Sequence, residues 1–102
     1  MTTKRKQPTL PATVAEIERP GGEVLRFTIN RYPSSPSGRL RLDVRTWYRP
    51  DPGGEYRPTR RGVSIPIDDL DAALAGIKAA VAAFREFGWT PEAEIEAGQA
   101  GE

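Results

Sequence analysis

Arginines interleaved with aromatic rings at strand spacing are the residues of this chain with chemistry to offer. Between Arg39 and Tyr48, the side chains of Arg39, Arg41, Asp43, Arg45 and Trp47 alternate with Leu40, Leu42 and Val44. That is the period-two pattern of a strand with one polar and one apolar face. Arg31 and Tyr32 precede this stretch, and Arg57, Arg60 and Arg61 follow it. Guanidinium groups make charge-assisted, often bidentate hydrogen bonds to phosphate. Aromatic faces stack on unpaired bases, at about 1–3 kcal/mol per base. A duplex hides its base faces, so this combination on an open sheet favours single strands. The same alternation also describes an ordinary solvated sheet face, and charge pattern alone does not choose between the two. Trp47 and Tyr48 are neighbours and point to opposite faces, which leaves open which of them stacks and which is core.

Catalytic constellations have little to stand on. The chain has no cysteine and no histidine, which removes thiol chemistry, disulfides and the usual zinc ligands. Asp68, Asp69 and Asp71 form an acidic cluster, but they fall where a helix begins and read as capping residues, not a metal site. The Gly21-Gly22 and Gly53-Gly54 pairs are turn glycines with no phosphate-binding motif around them. No enzyme activity, metal or cofactor is expected.

Charge supports an anionic partner. The formal net charge of +1 conceals a steep division along the chain. Residues 1–61 hold 13 of the 15 Lys and Arg against 6 acids, a balance of +7, and residues 62–102 carry −6. A basic working face and an acidic remainder follow from such an asymmetry. With 102 residues there is room for a single domain with a small core, which a partner subunit would help to stabilise. No apolar run reaches bilayer length and the start lacks a signal-peptide core, so a cytoplasmic, nucleoid-associated protein without membrane contact is expected.

The elements that must position these residues are readable in outline. Residues 1–21, with Lys4, Arg5, Lys6 and three prolines, read as a flexible basic arm in which Val14 and Ile17 mark at most a short strand or loose turn. Glu23 to Tyr32 alternates Leu25, Phe27 and Ile29 with Arg26, Thr28 and Asn30, which predicts a strand. A Pro/Ser loop, Pro33 to Gly38, leads to the strand Arg39–Tyr48. After the turn Pro50 to Gly54, a short strand at Glu55–Pro58 and another at Gly62–Ile65 are expected, joined by the basic loop Thr59-Arg60-Arg61. From Asp68, its N-cap, a helix follows in which Leu70, Leu74, Ile77, Val81 and Phe84 recur at spacings of four, three, four and three. That stripe is core or an interface with a twin helix. Gly88 ends the helix, and residues 89–102 read as a fraying acidic tail. The fold class is therefore α+β, a four-stranded antiparallel sheet followed by a C-terminal helix.

The segment GRLRLDVRTWYRPDPGGEYRPTRRGVSIP, with its DVRTWY strand, its turn at Asp51, Pro52, Gly54 and Glu55, and its RPTRRGVSI stretch followed by a helix, resembles the core of the positive cofactor four family of transcriptional coactivators. The resemblance covers about residues 22–86 and marks residues 22–88 as the domain. It implies a dimerising single-stranded-DNA-binding fold of the transcriptional-regulator type, with Leu70, Leu74, Ile77, Val81 and Phe84 at the dimer interface. It further implies DNA contacts from Tyr32, Arg39, Arg45, Trp47, Tyr48, Arg60 and Arg61, with the second member of the Trp47-Tyr48 pair falling on a base-stacking position, and the basic face read from the residues adds Arg41 and Arg57 as DNA-binding candidates. The family's serine-rich regulatory arm has no counterpart here, and the short architecture looks more like the bacterial or phage relatives.

Two functions from different classes follow. One is a sequence-tolerant, non-catalytic binder of single-stranded DNA, or of RNA, serving transcription or replication and repair. The other is a protein-interaction module whose basic face docks an acidic surface of the transcription machinery.

Overall fold

Alternation of apolar and polar residues, punctuated by glycine and proline turns, builds one antiparallel meander. The computed structural model describes residues 7–33 and 37–100. Lys4, Arg5 and Lys6 of the expected arm lie outside the described residues, as do 34–36 of the Pro33–Gly38 loop and 101–102. Four strands, β1 (Ala12–Arg19), β2 (Glu23–Tyr32), β3 (Arg39–Tyr48) and β4 (Arg57–Pro66), pair in chain order. A single 3-10 turn (Ile67–Asp69) leads to α1 (Leu70–Glu86), and α2 (Pro91–Ala100) follows. The chain divides into two compact units at Asp68/Asp69, the sheet unit and the helical unit. The expected α+β class, a four-stranded antiparallel sheet followed by a C-terminal helix, is found.

The strands are not all where the pattern placed them. Residues 12–19, expected within a flexible arm, form β1 and pair with β2 from Ala12↔Ile29 to Arg19↔Glu23. Gly21 and Gly22 between them have φ of 81° and 76°, the left-handed geometry a tight hairpin needs. β1 escapes a hydrophobicity pattern because it is an edge strand carrying Glu16 and Glu18, with an irregularity between Thr13 and Ala15. The two short strands expected at 55–58 and 62–65 are one continuous strand, β4. Pro58 is tolerated because β4 is the other edge. Thr59 to Arg61 lie in a bulge between the pairs Trp47↔Pro58 and Arg45↔Gly62. Arg60 and Arg61 are therefore strand residues, not loop residues.

β2 and β3 pair without a break over ten residues each, from Glu23↔Tyr48 to Tyr32↔Arg39. One sheet face carries Leu25, Phe27, Ile29, Leu42, Val44, Val63 and Ile65; the other carries Arg26, Thr28, Asn30, Arg41, Asp43, Arg45 and Trp47. Among the described residues, Val24 alone of the apolar side chains is buried, at 4% exposure.

The helical unit also departs in detail from expectation. The residue before α1 is Asp69, not Asp68, and it makes no side-chain cap hydrogen bond. Asp68 instead pairs with Arg39, while Asp71 occupies the positive first turn. α1 ends where Gly88 (φ 70°) turns the chain and the Trp89 amide donates to the Phe84 carbonyl at 2.8 Å. Residues 91–100, expected to fray, are helical, with Thr90 Oγ1 accepting from the Ala93 amide at 3.1 Å as an N-cap. α1 buries none of its residues, and Leu74, Ile77, Val81 and Phe84 of its stripe are exposed.

Gly62 makes the close approach of β4 to β3 possible. A Cβ there would stand 2.7 Å from the Val44 carbonyl oxygen and 2.9 Å from the Arg45 Cα, both backbone atoms of the facing strand. Gly62→Ala is expected to lower stability by about 1–3 kcal/mol in chemical denaturation, through overpacking against backbone that cannot give way.

Candidate nucleic-acid interface

The polar face of the sheet is organised in rows that cross all four strands. Thr13, Thr28, Asp43 and Ser64 face one another in register, a row of small polar side chains. The adjacent row runs Glu16, Arg26, Arg45, Gly62, and on the other side Asn30 faces Arg41. A groove of about 370 Å³ lies over this face, lined by Thr13, Arg26, Thr28, Arg41, Asp43 and Trp47 among others, with Asn30 and Tyr32 also on its wall. Cationic groups thus border a strip of hydrogen-bonding groups.

Each cation of the face has a distinct state. Arg26 donates from Nε to Glu16 Oε2 at 2.6 Å, and its guanidinium lies 4.5 Å from the Trp47 ring centroid and 5.2 Å from that of Tyr56. Stacking of this kind adds roughly 0.5–2 kcal/mol and fixes the ring plane. Arg41 spends Nε and Nη2 on the Ser64 hydroxyl and carbonyl, at 2.7 and 3.0 Å. Arg45 donates Nε and Nη2 to Asp43, the shortest contact being 2.8 Å, and Nη1 to the Thr59 carbonyl at 3.1 Å. The hydrogen bond to Asp43, helped by its charge and opposed by desolvation, raises the Arg45 pKa above the ordinary arginine value. Its charge is permanent.

Among the described residues two buried polar side-chain atoms lack protein partners, Thr28 Oγ1 and Trp47 Nε1, and both residues line the groove. A buried donor without a partner costs free energy comparable to a lost hydrogen bond. Both atoms lie out of solvent reach beneath the groove wall, so the site carries two unsatisfied polar groups below its surface.

The residues singled out in the sequence divide accordingly. Tyr32, Arg41 and Trp47 come together on the groove. Tyr32 stands 75% exposed, with a free ring face, whereas the Trp47 ring is partly covered by Arg26. Arg39 faces Tyr32 but pairs with Asp68. Arg45 is turned to Asp43 and the bulge of β4, and so braces the site from its side. Tyr48 faces Arg57 and Glu23 on the opposite side of the sheet, and Arg61 pairs with Glu23 at 2.6 Å. Arg60 is exposed in the bulge. Arg26, Thr28, Asn30 and Asp43 are groove residues that arginine-and-aromatic counting passed over. Their signal was the polar phase of β2, which alternates with Leu25, Phe27 and Ile29 as regularly as β3 does.

Among the described residues no group of three or more acidic side chains is placed to hold a metal ion, and no helix is long and apolar enough to cross a membrane.

A four-stranded meander with one basic, aromatic-bearing face is followed in the chain by an amphipathic helix. The structure is similar to that of a PC4 homolog from Burkholderia pseudomallei in two crystal forms. The tetragonal form matches with a TM-score of 0.59 and 26% identity over 69% of this chain and 96% of that one. The orthorhombic form matches with 0.58 and 25% over 74% and 96%. No family model matches the sequence, and no curated protein matches it. The resemblance to the positive cofactor four family, and to its bacterial members, is thus found in the fold.

If the Thr28 hydroxyl is held unpaired for a ligand, replacing it with an isosteric apolar group should relieve the free chain. Thr28→Val is expected to raise stability by up to about 1 kcal/mol in urea denaturation without ligand.

Proposed function

We propose that this chain is a sequence-tolerant, non-catalytic binder of single-stranded DNA that works as a homodimer in transcription or in replication and repair. One observation carries the reading: an open sheet face bears a groove that combines cationic borders, an exposed aromatic ring at Tyr32 and two unpartnered buried polar groups. Phosphate contacts fall to Arg41 and to the arginines whose ion pairs are exposed, and base contacts to Tyr32 and the Thr28–Asp43 row. Arg57 and Arg60 extend the positive field at the β4 edge, and Tyr48 offers a second ring on the far face. Likeness to a PC4 homolog agrees with this assignment.

The homodimer rests on apolar surface that the chain does not bury. Leu74, Ile77, Val81 and Phe84 are exposed along one stripe of α1, with Leu70 half-buried at its start. A contiguous apolar stripe of this length is costly in water and reads as an interface. A second copy, which presents the same stripe, is the partner that matches it in shape and chemistry.

Anisotropy titrations of a labelled single strand and its duplex are expected to show tighter single-strand binding, falling on the order of 10- to 100-fold between 50 and 200 mM salt. Arg41→Ala should weaken all single strands alike. Equal binding of strand and duplex would overturn the reading in favour of a protein-docking face. In sedimentation, the mass should be twice 11.2 kDa, and Leu74→Asp should return it to the monomer.

A further inference from the structure

The groove holds one group that phosphate binding does not need and would be better without. Asp43 places a carboxylate among the arginines, at 25% exposure, on the wall of the cavity. Its cross-strand neighbours are Thr28 on β2 and Ser64 on β4. A site built only for a polyanion gains nothing from a negative charge there, since like charges repel at this range. Yet Asp43 is held in place: Arg45 grips it with Nε and Nη2 from one side while reaching the Thr59 carbonyl with Nη1. An ionised carboxylate offers about four acceptor sites. Two N–H groups of Arg45 leave about half of that capacity for a ligand.

Trp47 Nε1 donates only, Thr28 Oγ1 donates or accepts, and both are buried without partners. Thr28 is 9% exposed. A volume of about 370 Å³ lies near the lower end of small-molecule pockets, enough for one base with its sugar. The ligand edge that fits is one with adjacent N–H donors for the exposed part of the Asp43 carboxylate. Among DNA bases, guanine alone carries two adjacent N–H donors next to a carbonyl on its pairing edge. Thymine has a single N–H, and cytosine and adenine each present one amino group beside ring acceptors.

We propose that the Thr28–Asp43–Trp47 groove is a base pocket that prefers guanine at one position of an otherwise sequence-tolerant strand. The pocket rests on the single-strand-binding reading and adds to it a point of base selection. Arg45 is its positioning residue and Asp43 its reader. Arg26 stacks on Trp47 and fixes the indole in the groove wall.

The test uses the unaltered protein and labelled oligo(dT) strands that carry one central dT, dG or dI at fixed low salt. Strands with dG should bind about tenfold tighter than plain oligo(dT). Deoxyinosine, which lacks only the amino group, should lose most of that gain. Asp43→Asn should bring the dG and dT strands to the same affinity. If oligo(dT) binds but dG gives no advantage, or dI equals dG, the pocket is overturned while strand binding stands. If no strand binds, both readings fall. Because the base series needs no variant, it decides the question even where Asp43→Asn folds poorly.

Discussion

The unbroken register between β2 and β3 is the constraint on which the rest depends. Ten residues of each strand face one another from Glu23↔Tyr48 to Tyr32↔Arg39. Side chains alternate with a period of two, so a slip of one residue would send Arg26, Thr28 and Asn30 to the apolar side and Leu25, Phe27 and Ile29 to the groove. The register therefore fixes the polar constellation on one face together with the apolar side chains on the other. The edge strands inherit this order: β1 brings Thr13 and Glu16 into the rows, and β4 brings Ser64 and Gly62. Gly62 is where the demand is tightest, because β3 backbone occupies the space a side chain would need.

Counting arginines overstates the charge available to a ligand, and exposure decides which ion pairs matter. Arg39–Asp68 is exposed at both ends, 65% and 66%, and the Arg61 end of Arg61–Glu23 is 66% exposed. Such pairs contribute about 0–1 kcal/mol and are screened by salt, so a phosphate exchanges readily for the carboxylate. Arg45–Asp43 is different, with both side chains about a quarter exposed and three donor groups committed. Removing either partner leaves a poorly solvated charge behind, which makes this pair a fixture of the site. The sheet unit thus carries two kinds of arginine, exchangeable ones such as Arg39 and Arg61 and a structural one, Arg45, fixed to Asp43.

Legibility in the sequence follows the same division between centre and edge. β2 and β3 were readable to the residue because both faces of a central strand are under demand, one apolar and one polar. β1 was not, since Glu16 and Glu18 on an edge strand hide the pattern, and its pairing is supplied by β2 and a glycine turn. β4 was read as two pieces because Pro58 and the Thr59–Arg61 bulge interrupt the alternation, although the strand runs on through them. Of the site, Tyr32, Arg41 and Trp47 were legible as chemistry, but the partners that give them meaning were not. Arg26 over Trp47, and Asp43 between Thr28 and Ser64, are contacts across strands, and no spacing along one strand encodes them.

The sheet's two faces separate two kinds of demand. With one apolar side chain buried among the described residues, a chain of this length gains little of its stability from its own interior. Val63 and Ile17 on the apolar face of the sheet unit are more than half exposed, and so are Leu74 and Ile77 of α1. Burying such side chains is worth about 1.5–3 kcal/mol each. Association through apolar surface therefore has a strong driving force that does not draw on the polar face at all. The groove face keeps Thr28 and Trp47 unpaired and an aspartate among arginines, beside Val24, the buried apolar side chain among the described residues. In a homodimer, two such grooves on one strand would raise affinity by effective concentration without any new contact. A modest preference at one base position would be reinforced wherever two suitably spaced guanines met both grooves.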